Sequence, residues 1–282
     1  MKYYEVRFQM TPAGEEAGDV LSALLADIGF ETFLPTEDGL SAYIQQALFE
    51  EDALKAITDH FVLPDYQVCY TVSEAPDENW NQTWEEEGFE PIVLDDLVCV
   101  HDTRHNSVPQ CQYDIIINPR MAFGTGTHPT TQQILRQLTQ MNLSGCRVVD
   151  AGCGTGVLGI LAALRGATEV FSYDIDEWSV ENTRINAELN QVKCLTVCEG
   201  DVSVLPQSGD FDLLVANINR NILLADMPCF AAALTPKGIL LLSGFYTDDT
   251  HLLIEKGKAS GLHLVRQTEQ EGWSMLMLQL LP

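Results

Sequence analysis

"DAGCGTGVLGI", residues 150–160, carries glycine at 152, 154, 156 and 159. Glycine packs nothing and loses the most backbone freedom on folding, so four in eleven residues mark a backbone that another group approaches closely. The preceding "RVVD" has the apolar character of a strand and the following "VLGILAAL" that of a helix, which places the glycines on a strand-to-helix turn. Gly154, Gly156 and Gly159 satisfy G-x-G-x-x-G, and Asp174 follows at the end of the next strand, "EVFSYDID". A carboxylate there can take two ribose hydroxyls, so the stretch reads as the nucleoside-binding turn of an α/β sheet.

Reading outward, apolar strands and helices alternate from about residue 128 onward: helix "PTTQQILRQLTQM", then the glycine turn, then strands and helices in turn to two late strands. That alternation predicts a parallel sheet covered on both faces. Upstream, "EPIVLDDLVCVHD" and "YDIIINP" read as strands. The first seventy residues follow a different order, β-α-β-β-α-β, that of a ferredoxin-like split unit. Between them "SEAPDENWNQTWEEEGF" is polar and acidic, with Trp80 and Trp84 four apart. The expected division is a small ferredoxin-like α+β domain over 1–72, a linker with a short helix over 73–90, and a Rossmann-like catalytic domain over 91–282.

Composition narrows the possibilities. With 46% hydrophobic and 20% charged residues, the 282-residue chain has ample material for a core. It has neither the roughly 20-residue apolar run of a membrane span nor the leader of a secreted protein, so a soluble, cytoplasmic protein is expected. Eight cysteines without a C-x-x-C pair suggest reduced thiols, and no structural metal is expected. The net charge of −26 is concentrated early, with 22 acidic against 3 basic residues in the first hundred. Such a surface repels phosphate backbones and attracts a basic protein, although acidity also serves solubility.

Asp150 bears on which nucleoside is held. A dinucleotide would bring an anionic pyrophosphate to the turn, against a carboxylate two residues before the first glycine. S-adenosylmethionine instead brings an ammonium and a sulfonium, which Asp150 favours by opposite charge. Asp201, in "EGDV", ends a further strand and can hold the adenine amine, so Asp150, Asp174 and Asp201 end three successive strands. Any one of them alone would pass as an ordinary turn aspartate.

Two more stretches complete the reading. "NPRMAFGTGTHPTT", residues 118–131, brings glycines, threonines including Thr127 and Thr131, and His128 to the start of a helix. Backbone amides and hydroxyls there can meet a ligand, or simply form a capped tight turn. "VANINRN" puts Asn217 at the carboxyl end of an apolar strand, where its carbonyl can accept a hydrogen bond from an attacking amine. A buried structural asparagine is the alternative. His128 fits either a general base or a structural imidazole. Phe123, Phe245, Tyr246 and Trp273 are candidates to line an amine channel, or to pack in the core.

In this order and spacing, "NPRMAFGTGTHPTT", "VVDAGCGTGVLGI", "YDID" and "VANI" resemble the PrmA family, whose members methylate the large-subunit ribosomal protein number eleven. The resemblance implies a class I S-adenosylmethionine-dependent methyltransferase fold and cofactor contacts at Thr131, Gly152, Asp174 and Asn217. It also implies an amino-terminal domain that docks the protein substrate, with lysine side chains or the N-terminal amine as acceptors. The residues themselves add Thr127, Asp150, Gly154 and Asp201 as candidate cofactor contacts and Asn217 as the candidate catalytic group. Rival readings are a nicotinamide oxidoreductase, which Asp150 opposes, and a nucleic-acid or small-molecule methyltransferase. The nucleic-acid variety should carry a basic surface and an N-P-P-Y stretch, which is absent at Asn217.

Overall fold

The computed structural model describes residues 3–12, 15–26, 28–36, 38–59, 61–63, 66–75, 89–105, 107–118, 124–206 and 209–281. The chain divides into two compact units, Met1–Trp80 and Asn81–Pro282. Trp80, Trp84 and the short helix expected around them lie outside the described residues.

The first unit runs β1 (Tyr3–Thr11), α1 (Glu15–Ala26), β2 (Thr32–Thr36), β3 (Gly39–Gln45), α2 (Glu51–Asp59) and β4 (Gln67–Glu74). The antiparallel sheet has the order β2-β3-β1-β4, the split arrangement that the sequence order implies. Alternation along β1 sends Val6, Phe8 and Met10 into a core shared with Leu21 and Leu25 of α1 and Leu54 of α2.

In the second unit, β5 (Ile92–Leu94), β6 (Val98–Asp102) and β7 (Tyr113–Ile117) form a three-stranded sheet. The stretch 90–102, which reads as one strand, breaks into an antiparallel pair at Asp95 and Asp96, both with left-handed φ (53° and 56°). Helix α3 (Pro129–Gln140) leads into the main sheet: β8 (Arg147–Ala151), α4 (Val157–Leu164), β9 (Glu169–Asp174), α5 (Glu177–Leu189), β10 (Leu195–Glu199), β11 (Phe211–Asn217), α6 (Arg220–Ala233), β12 (Leu234–Tyr246), α7 (Thr250–Ala259), β13 (Leu262–Gln270) and β14 (Trp273–Leu280). Its seven strands are ordered β10-β9-β8-β11-β12-β14-β13.

The first five of these strands are parallel, as the alternation implies, but β14 pairs antiparallel with both β12 and β13. The reason is local: a two-residue turn, Glu271-Gly272, both with positive φ, joins β13 to β14, and so short a link can only reverse the chain. The central strands are apolar on both faces. Val148 and Leu213 face one buried cluster while their neighbours Val149 and Leu214 face the other. The strand order reverses between β8 and β11, and the carboxyl ends of those strands open the crevice where such sheets bind ligands.

Candidate active site

The glycine turn leaves β8 under tight constraint. The amides of Gly152 and Cys153 both donate to the Tyr173 carbonyl, at 2.9 and 3.1 Å, binding the turn to the end of β9. Gly152 has φ +68°, and a Cβ on it would stand 2.3 Å from Cγ2 of Ile218. At Gly156 a Cβ would lie 2.9 Å from Cγ2 of Thr183, and at Gly159 it would lie 3.0 Å from Asp150 Oδ2. The close approach inferred from the glycines is therefore made in large part by the protein's own α5 and by the residues beyond β11.

The three aspartates occupy distinct settings. Asp150 is 1% exposed, and its Oδ2 accepts the Gly159 amide at 2.9 Å, so its immediate partner is the first turn of α4. Complete burial, with a smaller push from the Asp174 charge, raises its pKa to about 7, while the Gly159 hydrogen bond works the other way. Asp174 accepts the Gly154 amide on Oδ2 at 3.0 Å and the Asp176 amide on Oδ1 at 3.1 Å. Burial lifts its pKa as well, against those hydrogen bonds. Asp201 is exposed, and its Oδ1 caps a short turn by accepting the Ser203 amide at 2.9 Å; the Ser203 side chain first, and that amide second, hold its pKa below the ordinary carboxylate value. Two amides of the glycine turn thus already face carboxylates, where an anionic pyrophosphate would have needed donors.

The segment after β7 meets this turn from the other side. Thr155 Oγ1 donates to the Gly124 carbonyl at 2.6 Å, joining the two glycine-rich loops. Thr127 is exposed, its hydroxyl 3.2 Å from that of Thr125. His128 caps α3: its Nδ1 accepts from the Thr130 amide at 3.3 Å and lies 2.7 Å from the Thr130 hydroxyl. That contact satisfies one of the free amides at the start of the helix.

Thr131 is buried one position further on, and Asn217 Nδ2 donates to its Oγ1 at 3.1 Å. These two residues, 86 apart in sequence and each expected to contact the cofactor, are hydrogen-bonded to each other. Asn217 Oδ1 is buried with no hydrogen-bond partner. A buried carbonyl of that kind costs about 1–3 kcal/mol if left unpaired, and it has lone pairs with which to accept a further hydrogen bond.

An aromatic group stands nearby. Trp273 packs edge-on against His128, centroids 4.7 Å apart, and at 4.2 Å against the exposed Tyr246. Phe245 is only 2% exposed and belongs to the core, so it lines no channel, and Phe123 lies outside the described residues. Helix α3 is stitched to the final hairpin by Gln133 Nε2 donating to the Trp273 carbonyl (3.0 Å), Thr268 Oγ1 to Gln133 Oε1 (2.7 Å), and Gln270 Nε2 to Gln132 Oε1 (3.0 Å).

Beneath the loops lies a feature the sequence reading missed. Asn182 and Asn186 on α5 and Asn190 at its C-cap recur every fourth residue and bind backbone groups of Ile116, Asn118 and Thr155. The signal was present as a polar stripe of helical period in "ENTRINAELN". Among the described residues, no group of three or more His, Cys, Asp or Glu side chains is placed to hold a metal.

A reversed-order α/β sheet, a glycine turn braced by acidic strand ends, and an amide acceptor opposite it fit S-adenosylmethionine, and together they define a class I S-adenosylmethionine-dependent methyltransferase. Residues 25–280 match the profile of the family described as Ribosomal protein L11 methyltransferase (PrmA). The chain is 47% identical to the Ribosomal protein L11 methyltransferase of Phocaeicola vulgatus over 274 residues, covering 97% of this chain and 98% of that one. It is 43% identical to that of Porphyromonas gingivalis over 281 residues, 98% and 97% of the two chains. The crystal structure of the ribosomal protein L11 methylase of Lactobacillus delbrueckii subsp. bulgaricus superposes with a TM-score of 0.64 at 25% identity, covering 69% of this chain and all of that one. The chain belongs to the ribosomal protein L11 methyltransferase family.

Proposed function

We propose that this methyltransferase modifies amino groups, lysine side chains and/or the N-terminal amine, of the large-subunit ribosomal protein for which its relatives are named. The observation that carries this reading is the buried, unpartnered Oδ1 of Asn217, fixed in orientation by the Nδ2 hydrogen bond to Thr131. When bound, S-adenosylmethionine supplies an electrophilic methyl group on a sulfonium. Asp174, at the end of β9, is placed to take the ribose hydroxyls, and the turn at Gly152 and Gly154 to lie along the cofactor, with Thr127, Asp150 and Asp201 at or behind the same edge.

A free lysine has a pKa near 10.4 and is mostly protonated at neutral pH. Asn217 Oδ1 can accept an N–H from the amine in either protonation state and so orient the nitrogen without taking its proton. The amine loses its proton to water before it attacks, and we assign the packed rings of Trp273 and Tyr246 as aromatic surface along its approach. We place the reaction in the cytoplasm; among the described residues no helix is long and apolar enough to cross a membrane. The first unit, with its acidic excess, is assigned to recruitment of the basic substrate, and not of nucleic acid.

The test is mass spectrometry of the ribosomal protein after incubation with cofactor and either the wild-type chain or Asn217→Ala. Loss of a hydrogen bond made to the reacting amine should slow turnover about tenfold to a hundredfold, from roughly 1–3 kcal/mol. Undiminished methylation by the variant would remove Asn217 from the chemistry.

A further inference from the structure

Strand β7 lies at one edge of its three-stranded sheet, and its outer backbone groups are met by side-chain amides rather than by another strand. Asn190 Oδ1 accepts the Ile116 amide at 2.9 Å while its Nδ2 donates to the Ile116 carbonyl at 2.7 Å. Two residues along, Asn186 Oδ1 accepts the Asn118 amide at 2.8 Å and Asn182 Nδ2 donates to the Asn118 carbonyl, also at 2.8 Å. The match is metric: four residues of helix rise about 6 Å and two residues of strand about 6.6 Å, so consecutive turns of α5 meet alternate residues of an extended chain.

Asn186 does more than cap an edge. It is fully buried, and its Nδ2 donates to the Thr155 carbonyl of the glycine turn at 2.8 Å and to Asn182 Oδ1 at 2.9 Å. One amide group therefore holds both the point where the 118–131 stretch begins and the turn against which it lies. The second tie between the same two loops, Thr155 Oγ1 to Gly124, starts from that same residue. Among the described residues the Asn190 side chain makes no bond to the glycine turn; besides Ile116 it meets the Asn186 carbonyl, to which its Nδ2 donates at 2.8 Å.

We propose that Asn186, oriented by Asn182, is a positioning residue for methyl transfer: it sets the distance between the glycine turn and the stretch leading to Thr131, and thereby the fit of the site to its cofactor. This rests on the reading of Thr131 and Asn217 as site residues. Asn190 caps the same strand edge without reaching the turn and serves as the structural control.

The experiment uses the full chain and measures melting temperature, the dissociation constant for S-adenosylmethionine, and kcat with separate KM values for cofactor and protein substrate. Asn186→Ala, Asn182→Ala, Asn190→Ala and Asn217→Ala are compared well below each melting point. A merely structural defect lowers the folded fraction, and so kcat, without moving either KM. The expected result is a rise of tenfold or more in Kd and KM for the cofactor in Asn186→Ala and a smaller rise in Asn182→Ala. The KM for the protein substrate should stay within twofold, and Asn190→Ala should lower only the melting temperature. Cofactor constants in Asn186→Ala equal to those of Asn190→Ala would overturn the proposal. So would loss of folding in both Asn186→Ala and Asn182→Ala while Asn190→Ala folds, because the ladder's role would then be structural. Wild-type turnover in Asn217→Ala would instead overturn the site reading itself, whatever the ladder variants show.

Discussion

Replacing Asp150 with asparagine isolates the electrostatic cost of a carboxylate sealed under the glycine turn. Asparagine has the same shape and keeps an oxygen for the Gly159 amide, but it cannot titrate. In the folded chain burial raises the Asp150 pKa from 3.8 to about 7. Between those values the folded state keeps a proton that the unfolded state has released, so stability falls as pH rises through the window and levels off above it. The slope approaches about 1.4 kcal/mol per pH unit. Between pH 5 and pH 8 the wild-type chain should therefore lose about 2–3 kcal/mol through this group, and Asp150→Asn should lose none of it. At roughly 2–4 °C per kcal/mol for a unit of this size, the two melting curves should diverge by about 4–12 °C across that range. Differential scanning calorimetry follows the transition, and the difference in slope between the two proteins cancels groups they share. Parallel pH profiles for the two proteins would refute the assignment of a buried, proton-holding Asp150.

Three further outcomes follow from the same geometry. Asp174→Ala should weaken S-adenosylmethionine binding by about 1.5–3 kcal/mol in isothermal calorimetry, the range for hydrogen bonds to a charged group; tight NADH binding in its place would reverse the cofactor assignment. Gly152→Ala should cost about 1–3 kcal/mol of stability by chemical denaturation, because its Cβ would enter contact with Ile218 at 2.3 Å in a left-handed backbone. A chain starting near residue 77 should bind the cofactor with full affinity yet lose most methylation of the intact ribosomal protein, and the full chain's advantage should shrink as salt is raised. Equal methylation by both would dismiss the docking role of the first unit.

What could be read from residues alone tracks the range of the forces involved. The glycine turn, its flanking strand and helix, and Asp150 and Asp174 at strand ends follow from local pattern and stand where that pattern puts them, whereas Asp201 lies two residues past Glu199, the end of β10. The hydrogen bond between Thr131 and Asn217 spans 86 residues and is not legible in the sequence, since no local signal ties a helix start to a distant strand end. The sequence offers Asp150 to a ligand cation, whereas its contact with Gly159 depends on how closely α4 packs on β8, which composition does not encode. The antiparallel β14 was hidden because its apolar residues look like those of any buried strand, and the Glu271-Gly272 turn that reverses the chain is only two residues long. The asparagine ladder was overlooked because polar residues on a helix ordinarily read as a solvated face.

The stitching of α3 to the last hairpin has a consequence for the order in which the molecule comes into being. Gln133 and Trp273 are 140 residues apart, so the helix that carries Thr131 waits for one of the latest segments of its unit to emerge before its outer side is covered. Until residues 273–280 slot between β12 and β13, β12 presents a bare edge and the aromatic wall beside His128 does not exist. Contacts of such long sequence separation form late and slowly. A chain still being translated thus has its glycine turn in hand well before the last hairpin closes over the helix that carries Thr131.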